Sequence, residues 1–301
     1  RQMCIRDRSM TGENGRENFY QKTVGSKAST PIEVIDMGLR GFTRKIGILK
    51  DYNANFQCGQ CHNAANRYLT YKWLKDDKPV RPEDLQKAGV SPYATEFFKD
   101  PLESWAWFKA KGWHQGVNGT TGVHYVNGSD HPHVEIMLQS KHGQAGVTCT
   151  DCHFARKADG KAEHQPSLVK LKVENTCMRS ACHGPGSKSN WTDPGQALYT
   201  IEAIQQEYRI RVQKMEMAAK DAQRIFMKLK AGEASLPQEV KEKLETAYEK
   251  YLSARDWYLT DLSSGFHDPE GFNRTVSVVT WELRKTNAAA QGALKKTPVK
   301  Q

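Results

Sequence analysis

Val147-Thr148-Cys149-Thr150-Asp151-Cys152-His153 decides how this chain reads. Two cysteines separated by two residues, with histidine immediately after, form the C-x-x-C-H pattern that attaches c-type haem covalently. Two thiols one turn apart form thioethers to the haem vinyl groups, and the following histidine reaches the iron as an axial ligand. Cys58-Gly-Gln-Cys61-His62 repeats the pattern. Cys177-Met-Arg-Ser-Ala-Cys182-His183 widens the spacer to four residues, a longer loop that can serve the same chemistry. Six of the seven cysteines fall in these clusters. The expected cofactor is therefore haem c, three per chain.

Zinc, a redox dithiol and structural disulfides are the competing readings. Zinc sites pair one C-x-x-C with a second knuckle or a histidine arm at modest distance. Here the first two pairs lie about ninety residues apart, and neither zinc nor a dithiol requires a histidine directly after the second cysteine. The composition fits haem as well. Only 38% of the residues are hydrophobic, below the roughly 45–50% of an ordinary globular domain, and haem macrocycles would supply the missing apolar volume. Seven Trp, eleven Tyr and ten Phe argue against disorder. The formal charge of +10 would be offset by about six charges from the propionates of three haems. No basic stripe interleaved with aromatics is present, so no nucleic-acid partner is implied. No stretch of about 18 apolar residues exists to span a membrane.

The expected fold is mainly α, a multihaem core rich in loops followed by long C-terminal helices. Residues 1–10, Arg1-Gln-Met-Cys-Ile-Arg-Asp-Arg-Ser-Met10, read as a non-native tail like translated adapter sequence, with a genuine basic arm as the alternative. That reading would explain the odd Cys4 and the lack of an export signal, since haem c is attached outside the cytoplasm. Residues 11–195 form the haem core, with one helix expected over Ile32–Ile48 after Ser29-Thr30-Pro31. Residues 196–301 form the helices. Ile201, Ile204, Tyr208, Val212, Met215, Ala219, Ala222, Phe226 and Leu229 recur at helical spacing, and Gly232 ends that run. Pro237 opens a second helix with Val240, Leu244, Ala247, Tyr251, Ala254, Tyr258 and Leu262 on one face. A third runs from Glu270 to about Ala290.

Beyond His62, His153 and His183 stand seven histidines: His114, His124, His131, His133, His142, His164 and His267. Each iron needs a sixth ligand or an open position; a second histidine gives an electron carrier, an empty position gives catalysis. His114 and His124 read by default as surface or satisfied polar residues. Most of the methionines fall on apolar helix faces or at the N-terminus, where packing explains them.

His131-Pro-His-Val-Glu135, Ser140-Lys-His142-Gly143, the Val147–His153 stretch and Phe266-His267-Asp-Pro-Glu270 resemble, in order and spacing, the pentahaem ammonia-forming cytochrome c nitrite reductases. Cys58-Gly-Gln-Cys61-His62 is similar too, and the likeness runs from about Thr30 to Leu294. It implies that His267 is the distal ligand of the His153 haem and His142 that of the His183 haem. The distal ligand of the His62 haem would lie upstream. His164 would cap a further haem whose attachment motif also lies upstream, and His131 would be the catalytic pocket histidine. The family's catalytic haem uses C-x-x-C-K, which this sequence lacks, and its catalytic arginine would stand upstream as well.

Departures accompany the likeness. The family's Val-Glu-Tyr after the first motif is here Asn63-Ala64-Ala65, and its Lys-x-Gln before the pocket histidine is Gly128-Ser-Asp130. These replacements remove calcium ligands and a pocket tyrosine, and they put calcium and standard nitrite chemistry in doubt. Tyr68 or Tyr125 could stand in for the tyrosine. The resemblance implies a periplasmic or otherwise extracytoplasmic protein. Its partners would be a redox donor (a quinol-linked cytochrome or similar) and a small nitrogen oxyanion. Non-catalytic electron transfer and an octahaem hydroxylamine oxidoreductase-like role are the alternatives. The C-terminal stripes would pair two copies in a homodimer, or simply pack on each other and on the haem layer.

Overall fold

The computed structural model describes residues 73–81, 98–127, 132–156, 162–164, 166–188 and 190–296. It also describes strands β1 (Glu33–Asp36) and β2 (Lys45–Ile48), and Asn55, Cys58, His62, Asp84 and Lys87. Helix dominates. After β3 (Leu74–Lys75) and β4 (Lys78–Pro79) come α1 (Pro101–Ala110), β5 (Trp113–His114), α2 (His133–Gln139), α3 (Lys141–Gln144) and α4 (Cys149–His153). Strands β6 (Phe154–Arg156) and β7 (Ala162–His164) precede a 3-10 stretch, Pro166–Asn175. Three long helices close the chain: α5 (Pro194–Lys230), α6 (Gln238–Leu259) and α7 (Pro269–Lys296).

The helix expected over Ile32–Ile48 is instead an antiparallel pair, β1 with β2, in the register Glu33↔Ile48 to Asp36↔Lys45. Val34, Ile35, Ile46 and Ile48 are β-branched, with stiff side chains that favour extended backbone. Gly38 and Gly41 fall mid-segment, where each would cost a helix about 1 kcal/mol. The expected helix start at Ser29-Thr30-Pro31 lies outside the described residues.

Asp-Pro starts three of the helices: Asp100-Pro101, Asp193-Pro194 and Asp268-Pro269. Proline at the first helical position gives up an N–H that has no intrahelical partner there, and the preceding aspartate satisfies the amides beyond it. The Asp100 carboxylate accepts from the Leu102 and Glu103 amides at 2.8 and 2.9 Å. Asp193 accepts from Gln196 at 3.1 Å and Asp268 from Gly271 at 3.2 Å. Gly232, at φ +74°, turns the chain out of α5, the left-handed position that closes a helix most cheaply with glycine.

α7 packs along both α5 and α6, and α1 lies against α6. Phe108, Met215, Leu244, Trp257, Val276, Val279 and Leu283 form the driest part of the core. Trp113 from the small β4-β3-β5 sheet, and Trp73 and Val80 flanking its other two strands, join the same cluster. The apolar stripes read from the sequence do face inward, with two adjustments. Leu262 lies beyond the end of α6 and is 78% exposed, because the helix stops at Leu259 with Thr260 as its cap. α7 runs past Ala290 to Lys296. A second, smaller cluster of Val173, Ala197 and Ile201 has Cys177, Met178, Trp191 and Phe266 packed against it. It lies at the cysteine-rich side of the molecule.

Candidate haem-binding site

The second motif is a helix in its own right. In α4, the Asp151 carboxylate accepts from the Thr148 amide at 2.8 Å and its hydroxyl at 2.9 Å, which closes the first turn. One turn of helix brings Cys149, Cys152 and His153 together. In the first motif the His62 amide donates to the Cys58 carbonyl at 2.9 Å, the same one-turn geometry; Cys61 lies outside the described residues. In the third, the His183 amide donates to the Cys177 carbonyl at 2.9 Å and the Cys182 amide to the Arg179 carbonyl at 2.8 Å. The longer loop therefore still returns its histidine to its first cysteine.

The three motifs are also tied to one another. Asn55 Oδ1 accepts from the Cys149 amide at 2.7 Å, joining the first to the second. Arg179, inside the third spacer, reaches Asp151 Oδ1, inside the second, at 3.3 Å. Burial raises the Asp151 pKa, but the Thr148 groups and Arg179 outweigh it and hold the carboxylate below its ordinary range. The five described cysteines are free thiols, each half-buried. A hydrogen bond with Cys149 lowers the Cys58 thiol to about 7. Burial, followed by the neighbouring Cys177, pushes Cys152 up to about 12, and burial raises Cys177. Thiols from different motifs thus lie side by side.

Histidines meet in pairs. His142 and His183 have ring centroids 5.9 Å apart at 84°; His153 and His267 are 6.1 Å apart at 67°. An iron bonded to one nitrogen of each ring at about 2 Å would set the centroids roughly 6 Å apart. Both pairs fit that spacing, and both are the pairs the resemblance implies. Burial, and then nearby His183 and His267, lower the His142 pKa; burial lowers that of His183. These rings are held neutral, the form that binds metal. His183 Nδ1 is buried without a hydrogen-bond partner, while its ring stacks on Trp191 at 4.3 Å.

Local backbone sets each ring. Ser140 Oγ accepts from the Gly143 amide at 3.0 Å and starts α3, which carries His142. Gly143 and Gly184, each directly after a paired histidine, sit where an added Cβ would run into a backbone carbonyl, of Met137 and Met178 respectively. For His267, Ser263 Oγ accepts its amide at 3.0 Å. Asp261 Oδ1 stands 3.4 Å from its Nδ1. Burial raises the Asp261 pKa, but the nearby His267 and hydrogen bonds from the Ser263 hydroxyl and the Gly265 amide bring it down to about 2. A carboxylate held behind a histidine in this way orients the ring and raises its basicity toward a metal.

Other histidines fall elsewhere. His131 lies outside the described residues, as do Asn63-Ala64-Ala65, Tyr68 and Gly128-Ser-Asp130. The backbone of His164 pairs with Phe154, next to His153 in sequence, through the β6–β7 hairpin. His114 is a buried, satisfied residue that stacks on His124 at 4.4 Å and accepts the Gly116 amide. Sequence reasoning assigned no role to His133, Asp261 or Trp191. His133 Nδ1 stands 3.4 Å from His62 Nδ1. The only signal for it was its place two residues after His131.

Comparison with known proteins agrees with this arrangement. A family model described as cytochrome c552 matches residues 53–301. Cytochrome c-552 of Bacteroides thetaiotaomicron is 28% identical over 138 residues, covering 42% of this chain and 22% of its own length. Cytochrome c nitrite reductase subunit NrfA of Nitratidesulfovibrio vulgaris is 23% identical over 223 residues, covering 70% of this chain and 40% of that protein. Among solved structures, the cytochrome c nitrite reductase catalytic subunit of Desulfovibrio desulfuricans superposes with a TM-score of 0.55 at 19% identity. That match covers 80% of this chain and 48% of the other, and shows a shared fold. The chain thus spans less than half the length of these relatives. With the family model matched across most of its length, the chain belongs to the cytochrome c552 family, the multihaem cytochromes of the nitrite reductase type.

Proposed function

We propose that the protein passes electrons through bis-histidine haems towards reduction of nitrite, or a related nitrogen compound, to ammonia. The pairing of His142 with His183 and of His153 with His267 at iron-spanning distance carries this reading. Haem bound there would supply one-electron redox chemistry. The chain's own residues aim its ligands: Ser140 starts the His142 turn, and Asp261 and Ser263 fix His267. Two histidines per iron favour carrying electrons over binding substrate.

The substrate step is assigned to a C-x-x-C-K haem that this sequence does not encode, with His131 as its pocket histidine. A histidine near neutrality suits proton delivery to a nitrogen oxyanion. The reading places the protein in the periplasm, or otherwise outside the cytoplasm, fed by a quinol-linked cytochrome or a similar donor. It includes pairing of two copies through the C-terminal helices, with Ile210 and Met217 exposed on the outer face of α5. Non-catalytic electron transfer is the second reading, favoured by Ala64-Ala65 at the positions of the family's glutamate and tyrosine.

The haem-loaded 301-residue chain is expected to take up electrons from a strong reductant and return them to a soluble acceptor. Supplied with nitrite, it is expected to form no ammonia. Sustained ammonia formation, measured against a haem-free control, would show that the described chain holds a complete catalytic centre and would overturn the assignment.

A further inference from the structure

We propose that His133 is a positioning residue for the haem ligand His62, hydrogen-bonded to its outer ring nitrogen and in ring contact with His267, a ligand of the next haem. The inference rests on the haem reading above and extends it to a residue with no role in that reading. His133 opens α2 directly after Pro132. The following amide, that of Val134, donates to the His62 carbonyl at 3.1 Å, so the start of the helix is fixed to the first motif. The two Nδ1 atoms are then 3.4 Å apart, with ring centroids at 5.3 Å and planes at 66°. On its other side the His133 ring lies 5.7 Å from His267 at 89°. His267 in turn faces His153 at 6.1 Å. Four imidazoles thus form an unbroken contact chain between the attachment histidines of two motifs.

Metal-bound histidines nearly always donate their second ring N–H to an acceptor, which fixes the ring and raises its basicity. With Nε2 of His62 given to iron, its proton stays on Nδ1 and points at His133 Nδ1. A neutral imidazole carries one proton and cannot accept at both nitrogens. The Leu262 amide, which donates to His133 Nε2 at 3.3 Å, is therefore the contact that yields. Leu262 is 78% exposed, so its amide has water at hand. A more basic His62 stabilises the oxidised iron and lowers the potential of that haem.

The test compares the haem-loaded full chain with H133A and H133N by intact and peptide mass, redox titration and electron paramagnetic resonance. All three proteins are expected to carry three haems. In H133A one haem should become easier to reduce by about tenfold in its reduction equilibrium, or about 59 mV for one electron, with a change in the resonance signal of that haem. H133N, which restores an acceptor oxygen, should recover part of the shift. Three attached haems with potentials and signals unmoved in H133A would overturn the proposal alone. A parent chain whose Cys58 and Cys61 carry no haem would overturn the haem reading of that motif and the proposal with it.

Discussion

His267→Ala is expected to leave three haems attached while converting one of them from six-coordinate low spin to five-coordinate high spin. Attachment depends on the cysteines of α4, which the substitution does not touch. The sixth position depends on the ring 6.1 Å from His153, and among the described residues that ring is the one aimed there by a buried carboxylate, Asp261. Losing a histidine ligand opens the iron, the change that separates an electron carrier from a reactive haem. Electron paramagnetic resonance and the visible spectrum measure it directly: a low-spin signal should be lost and a high-spin one gained. His142→Ala should do the same for the His183 haem, and the double variant should show both changes. A double variant that keeps all the low-spin signal of the parent chain would reject both pairings.

The largest stability effect is expected at Trp257. Its side chain is 1% exposed, within the cluster that joins α5, α6, α7, α1 and the small sheet. Truncating a buried tryptophan removes its transfer free energy and leaves a cavity, together costing about 3–5 kcal/mol. That is a large part of the roughly 5–15 kcal/mol stability of a typical domain. Trp281 serves as the control. It is 61% exposed and has Lys285 over its ring at 4.8 Å, so Trp281→Ala should stay within about 0.5 kcal/mol. Denaturant titration followed by helix content measures both, and equal midpoints would refute this placement of the core.

The C-terminal half was legible because its signals are local. Pro237 as a start, Gly232 as a stop and stripes such as Tyr208, Met215, Ala222 and Phe226 depend on helix geometry alone. The histidine pairs were legible only through family likeness. Nothing in the spacing of His142 and His183, or of His153 and His267, says that they meet; that follows from how the fold brings α3 to the third motif and α4 to the α6–α7 turn. Short segments failed where two periods compete. Ile32–Ile48 carries enough branched apolar residues to suit a helix face or a hairpin, and pairing across the chain settled it as β1 and β2. Leu262 continued the α6 stripe in sequence, but the Asp261–Gly265 turn that positions His267 had already ended the helix. His133 and Asp261 act through contacts formed far along the chain, so no local pattern marks them.

The most direct measurement is haem stoichiometry of the 301-residue chain, produced in a host that attaches c-type haem, by pyridine haemochrome absorbance together with intact mass. Three covalent haems per chain are expected, one at each cysteine–histidine motif including the widened Cys177–His183 loop. Fewer than three would contradict it.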